Sequence, residues 1–170
     1  AGLDVSGKDA LSPVTEWTPE RIAAFLGRET KAGTPAPSVP RPPMICAGCP
    51  YRLAALHLGK LHKRGDIEAI FGDIGCNTLI KGLNALDVNL CIGASEAMRM
   101  GYVLSKPEAA ARCVSIIGDG TECHSGMDAT RNTVFRQVPG LKIVLDNEWI
   151  AMTGGQPSPS SPCNLAGQPN

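Results

Sequence analysis

Asp119 sits between two glycines in Gly118-Asp119-Gly120-Thr121, directly after the apolar run Cys113-Val114-Ser115-Ile116-Ile117. Glycines on both sides let the backbone turn sharply and come close to a ligand while an acidic side chain is presented. Asn147 follows 28 positions later, in Leu145-Asp146-Asn147-Glu148-Trp149, where a second apolar run ends. If the two runs are neighbouring parallel strands, the carboxylate, the amide oxygen and a backbone carbonyl form a half-shell of hard oxygen ligands. Magnesium takes such ligands and completes its shell with water and phosphate oxygens. The cation would also reverse the repulsion between Asp119 and a phosphate, and the amides of Gly120 and Thr121, opening the next helix, can meet an anion. A lone Gly-Asp-Gly also occurs as an ordinary strand-to-helix turn, so the distant asparagine carries much of the weight.

Cysteine makes the second constellation. Cys46-Ala47-Gly48-Cys49-Pro50 precedes a helical pattern, and Gly72-Asp73-Ile74-Gly75-Cys76 follows a strand pattern. Cys-x-x-Cys with a third thiolate suits three corners of a zinc site or of an iron–sulfur cluster, and spacing alone leaves both open, together with a redox pair or plain thiols. Cys91, Cys113 and Cys123 lie on or beside predicted buried elements and are expected to pack in the core. His124, just beyond the Gly-Asp-Gly turn, is a candidate acid–base or polar contact, with a structural histidine as the alternative. His57 and His62 fall on an expected helix surface.

The elements that must position these groups follow from periodicity. Trp17-Thr18-Pro19-Glu20 opens a short helix capped by Thr18, with Ile22, Phe25 and Leu26 on one stripe. Thr34–Pro43 holds five prolines in ten residues and is expected to be a linker. The domain division is therefore a helical lead-in and proline-rich linker over 1–43 and a cofactor domain over 44–170. In the latter, helices are expected over Tyr51–Lys63 (Leu53, Leu56 and Leu61 inward), Gly93–Leu104 (a small-residue face of Ala94, Ala97, Met98 and Gly101) and Ser125–Arg136. Strands are expected at Ile67–Phe71, Cys113–Ile117 and Leu141–Leu145. Continuous apolar strands alternating with helices predict an α/β fold, a parallel sheet flanked by helices on both faces. In such sheets ligands bind beyond the carboxyl ends of the strands. Both candidate constellations fall there.

Composition excludes several function classes. Hydrophobic residues make up 43% of the 170 and charged residues 19%, as in a globular chain. Sixteen basic and sixteen acidic side chains cancel, and 4% are aromatic, so there is no footprint for nucleic acid or an anionic membrane. No apolar run approaches a bilayer span, and the first residues lack signal-peptide character; a cytoplasmic location is expected. Seven cysteines in that compartment favour ligation over disulfides.

Taken together, the motifs resemble a known family. Gly-Asp-Gly, a spacer of this length and an asparagine resemble the thiamine-diphosphate enzymes, although the usual pair Asn-Asn is Asp146-Asn147 here. Arg41-Pro42-Pro43-Met44-Ile45-Cys46-Ala47-Gly48-Cys49-Pro50-Tyr51-Arg52 is similar to the opening of the cofactor domain in indolepyruvate ferredoxin oxidoreductase alpha subunits. Asp73-Ile74-Gly75-Cys76, Cys91-Ile92-Gly93-Ala94-Ser95, His124-Ser125-Gly126 and Ala151-Met152-Thr153-Gly154-Gly155-Gln156-Pro157 continue the likeness, in the family's order, over roughly residues 41–160.

The resemblance implies a thiamine-diphosphate-binding domain of the type that holds the diphosphate. Asp119, Asn147 and the Trp149 carbonyl would ligate magnesium, and Gly118, Gly120, Thr121, Thr153 and Gly154 would line the cofactor site. Cys46, Cys49 and Cys76 would be three ligands of a [4Fe–4S] cluster, its fourth coming from beyond Asn170, since the setting of Cys163 does not match. The implied reaction is oxidative decarboxylation of an aryl 2-oxoacid such as indolepyruvate to its acyl-coenzyme A, with electrons passed to ferredoxin. The implied partners are a pyrimidine-binding domain or subunit, a second oxidoreductase subunit, ferredoxin, the 2-oxoacid and coenzyme A, in a dimer of larger assemblies. Neither that pyrimidine domain nor a ferredoxin-like cluster repeat is evident, so the chain is expected to be a fragment or a subunit, inactive alone. The alternatives are a non-oxidative thiamine-dependent decarboxylase and a zinc-stabilised α/β binding module without catalysis.

Overall fold

Three short strands whose residues are almost all apolar organise the chain. A computed structural model describes residues 17–29, 39–40 and 42–170, and the chain divides into two compact units, Ala1–Arg41 and Pro42–Asn170. In the first, α1 (Pro19–Phe25) is capped by the Thr18 hydroxyl, which accepts from the Arg21 amide at 3.4 Å. Trp17 meets Phe25 edge-on, with ring centroids 5.3 Å apart. Most of the proline-rich segment lies outside the described residues.

In the second unit the order is α2 (Tyr51–Arg64), β1 (Ala69–Gly72), a 3₁₀ segment (Cys76–Leu83), α3 (Ser95–Ser105), a second 3₁₀ segment (Pro107–Arg112) and β2 (Cys113–Gly118). A helical stretch follows: α4 (Asp119–Thr121), a π-turn (Glu122–Gly126) and α5 (Met127–Phe135). Then come β3 (Leu141–Leu145), β4 (Trp149–Ile150) and β5 (Gln156–Pro157). The strands β1, β2 and β3 form a parallel sheet in that order. The central strand β2 is buried through Ile117, and β-branched Val114, Ile116 and Ile117 suit a strand covered on both faces. Ile70, Val114 and Ile116 pack with Tyr51, Ala55 and Leu58 of α2 on one face. Phe71 and Cys113 pack with Met100 and Val103 of α3 on the other. The expected parallel sheet with helices on both faces is the fold observed. Among the described residues no helix is long and apolar enough to cross a membrane.

Two helix faces differ from the expectation. In α2 the buried residues are Tyr51, Ala55 and Leu58, while Leu53 and Leu56 are exposed and Leu61 is half-buried. In α3 Ala97 and Gly101 are exposed, and Ser95, Glu96, Arg99, Met100 and Val103 face inward. Burial of Glu96 with Arg99 is possible because each neutralises the other: Arg99 Nε donates to Glu96 Oε2 at 2.9 Å and Nη1 donates to the Pro139 carbonyl at 2.8 Å. The Ser115 hydroxyl donates to the same Glu96 carboxylate, tying α3 to β2. The third helix starts at Asp119, earlier than Ser125, because a π-turn joins the strand end to α5. Such turns widen the helix locally and recur at functional sites.

Candidate cofactor-binding site

Register brings the candidate residues together. Gly118, the last residue of β2, pairs with Leu145, the last of β3. The chain leaving each strand therefore exits at the same edge, Asp119 one residue on and Asn147 two residues on. Gly72 ends β1 opposite Ile116, so Asp73-Ile74-Gly75-Cys76 leaves at that edge as well. Asp119, Asn147 and Cys76 all line one cavity of about 310 Å³, together with Gly118, Gly120, Thr121, Trp149 and Thr153.

Asp119 is buried. Its Oδ2 accepts from the Ser158 hydroxyl at 3.0 Å and the Ser160 hydroxyl at 2.7 Å; among the described residues no hydrogen bond reaches Oδ1. Asn147 is held in a local turn, its Oδ1 accepting from the Trp149 amide at 3.3 Å, and Glu148 between them takes a left-handed φ of 62°. Asp146, where the usual motif has asparagine, is exposed and caps the same turn through the Glu148 amide at 2.9 Å. Trp149 then pairs with Pro157 across the β4–β5 hairpin. Pro157 has no amide proton and so cannot donate to the Trp149 carbonyl. Asp119, Asn147 and Trp149 thus line one cavity, and between them they carry a carboxylate, an amide oxygen and a backbone carbonyl. This is the hard-oxygen donor set that suits magnesium with a diphosphate. A Cβ on Gly120 would stand 2.7 Å from Ile150 Cγ1, so a larger residue there would force the Ile150 side chain to shift.

The cysteine loop is fixed independently. The Cys49 amide donates to the Cys46 carbonyl at 3.3 Å across a turn in which Gly48 takes φ 75°. Arg52 Nε donates to the Cys46 carbonyl at 2.8 Å, pinning the loop to α2. Burial pushes the Cys76 thiol up, and the proximity of Cys46 and Cys49 pushes it further, so the three thiols lie within electrostatic reach of one another. Among the described residues, however, no three His, Cys, Asp or Glu side chains converge as they would on a single ion. Three thiolates suit corners of a zinc site and of an iron–sulfur cluster alike.

Other expected residues fall elsewhere. His124 is exposed and outside the cavity lining, as is Gly154. Cys91 and Cys123, expected in the core, are exposed, while Cys113 is buried. Cys163 is exposed. His57 is exposed, and His62 is half-buried with Nε2 3.4 Å from Asp87 Oδ2.

Three residues of the site were not singled out by spacing. Tyr51 lines the cavity, and its hydroxyl donates to the Leu145 carbonyl at 2.8 Å, anchoring α2 to the tip of β3. Burial, with the negative charges of Asp119, Cys76 and Cys49 nearby, holds its phenol well above the ordinary range, so it remains a donor. Asp73 is fully buried; its carboxylate accepts from the Ile74 amide at 2.6 Å and the Gly93 amide at 2.8 Å, fixing the turn that carries Ile92 to the cavity. Burial pushes the Asp73 carboxyl up, and those amides pull it back part of the way. Asn77 is 2% exposed, lines the cavity and has no hydrogen-bond partner for either Oδ1 or Nδ2. Buried polar atoms are almost always paired, with protein or with ordered water, so the Asn77 amide at the cavity wall has donor and acceptor capacity to offer there. Its place next to Cys76 was the one signal available.

Residues 73–168 match the family described as thiamine pyrophosphate enzyme, C-terminal TPP binding domain. The chain belongs to that family. It is also similar to curated proteins named indolepyruvate oxidoreductase subunit IorA. The Methanothermobacter marburgensis protein is 37% identical over 98% of this chain, and that of Thermococcus kodakarensis 32% identical over 94%. The chain spans 29% and 28% of those two proteins' lengths. The 2-oxoglutarate synthase subunit KorB of Archaeoglobus fulgidus is 30% identical over 71% of this chain and 46% of its own length. Among solved structures, 2-oxoglutarate:ferredoxin oxidoreductase from Magnetococcus marinus shares the fold with a TM-score of 0.57 and 21% identity, over 71% of this chain and 43% of that one.

Proposed function

We propose that the chain supplies the diphosphate- and magnesium-binding half of a thiamine diphosphate site. The whole protein would be an oxidoreductase that oxidatively decarboxylates an aryl 2-oxoacid of the indolepyruvate kind to its acyl-coenzyme A and passes the electrons to ferredoxin. The observation that carries this reading is that Asp119, Asn147 and Trp149 line one cavity beyond adjacent parallel strands. Those three would ligate magnesium, and Gly118, Gly120, Thr121 and Thr153 would surround the diphosphate, with Gly154 next to Thr153 shaping the turn. When bound, thiamine supplies the carbanion-stabilising chemistry that protein side chains lack.

The chain's own residues do the rest. Gly120 lets the backbone approach the phosphates, Asn77 offers an amide to the bound cofactor, and Ile74, Ile92 and Met152 give the cavity one apolar wall. Cys46, Cys49 and Cys76 would hold a [4Fe–4S] cluster beside the same cavity, which Cys76 lines. We assign His124 no step, because its ring is exposed. The partners required are a pyrimidine-binding domain or subunit, a second oxidoreductase subunit and ferredoxin. The names and identities of the indolepyruvate relatives support the aryl substrate.

The test is a cofactor and metal analysis of the complete protein purified anaerobically. Magnesium-dependent thiamine diphosphate binding should be lost in Asp119→Ala, and iron with acid-labile sulfide should be lost in Cys76→Ser. Binding unaffected by Asp119→Ala would reject the site; a protein free of iron would reject the cluster and favour the non-oxidative decarboxylase.

A further inference from the structure

We propose that the serine turn Ser158–Ser161 is the positioning layer of the cation site: it decides which oxygen of Asp119 meets the metal and makes the site select magnesium over calcium. This rests on Asp119 and Asn147 holding a divalent cation, as proposed above.

The turn grips both halves of the clasp. Ser160 Oγ donates to Asp119 Oδ2 at 2.7 Å, and Ser158 Oγ lies 3.0 Å from the same oxygen and 2.7 Å from Ser160 Oγ. Each hydroxyl has one proton, so the pair fills at most two of these three contacts, and Ser160 makes the shorter one to Asp119. On the other side, the Ser161 hydroxyl donates to the Glu148 carbonyl, and the Ser158 amide donates to Ser161 Oγ at 2.8 Å. Glu148 is the left-handed corner between Asn147 and Trp149. A non-glycine residue there is strained and persists only where its surroundings hold it. Ser158 and Ser161 are both buried, 6% and 4% exposed, and Ser160 between them is partly buried.

The consequence lies in geometry. With Oδ2 engaged by hydroxyls, Asp119 has Oδ1 left free among the described residues and would hold a cation through that one oxygen. Magnesium demands a near-ideal octahedron of short bonds, whereas calcium accepts two oxygens from one carboxylate and irregular shells. Locking Oδ2 therefore favours magnesium.

The experiment measures thiamine diphosphate binding by the complete protein, with the subunits it carries, as magnesium chloride or calcium chloride is titrated; Trp149 fluorescence or calorimetry gives the midpoint. In Ser160→Ala, and more so in the Ser158→Ala/Ser160→Ala double variant, the magnesium midpoint should rise about tenfold, as is typical on loss of a partner to a metal ligand. The calcium midpoint should change less, and Ser160→Thr, which keeps the hydroxyl, should restore the wild-type ratio. Equal shifts for both cations would reveal general loosening and overturn the proposal, as would unchanged midpoints. Asp119→Ala run alongside separates the two ideas: if it abolishes binding while the serine variants titrate like wild type, only the serine turn's role fails, and if it binds normally, the cation site itself fails.

Discussion

At the scale of single residues, the polar atoms without partners say most about chemistry. An unsatisfied buried amide costs about 1–3 kcal/mol, and Asn77 carries two such atoms at the cavity wall. Asn77→Leu is therefore expected to raise the thermal midpoint of the cofactor-free protein while weakening thiamine diphosphate binding several-fold; opposite signs in those two measurements distinguish a ligand contact from a structural one. A midpoint that falls would make Asn77 a support of the fold. Tyr51→Phe should act in the contrary manner. It strips the Leu145 carbonyl of its donor, so calorimetric stability should drop by about 1–3 kcal/mol with or without cofactor.

At the scale of elements, α3 is the clamp. Glu96 and Arg99 reach β2 through Ser115 and the approach to β3 through the Pro139 carbonyl, and Gly140 leaves room for the guanidinium, since a Cβ there would stand 1.8 Å from Arg99 Nη1. Burial pushes the Glu96 carboxyl up, but Arg99 and Ser115 outweigh it and the net result lies below the ordinary value of 4.5. Its folded pKa is thus lower than its unfolded one. The stability it contributes is present above 4.5 and is lost as pH falls through the lower folded value. Arg99→Leu removes the counter-charge and should cost about 3–5 kcal/mol. It also leaves burial as the dominant influence, raising the Glu96 pKa, so the variant should gain stability on mild acidification where the wild type does not. Thermal midpoints measured from pH 7 down to pH 4 check both the loss and the inverted slope.

At the scale of the whole molecule, the site has one wall. Ile92, Trp149 and Met152 line the cavity yet are 61%, 47% and 59% exposed, the apolar surface that the proposed pyrimidine-binding partner would cover. Among the described residues β3 is the sheet's edge, with Leu141 and Val144 exposed. These 170 residues alone are expected to bind thiamine diphosphate weakly and to give no oxoacid-dependent ferredoxin reduction; turnover by the isolated chain, followed by ferredoxin absorbance, would contradict the half-site reading.

Element types were legible in the sequence because they depend on local patterns. The short, mostly apolar run Cys113–Ile117, rich in β-branched residues and ended by glycine, reads as a buried strand, and Gly-Asp-Gly at its end with Asn147 after the next such run suggested a ligand turn. Which face a helix turns inward was not legible. Glu96 and Arg99 look like solvent-facing charges until each supplies the other's counter-charge, and Leu53 and Leu56 look like core until Tyr51, Ala55 and Leu58 take the contact with the sheet. The tail after Trp149, a Gly-, Ser- and Pro-rich stretch without periodicity, carried no sign that it folds back to hold Asp119. Pairing between distant polar groups is decided only when the chain closes, because a hydroxyl's partner is set by proximity in space and leaves no repeat along the sequence.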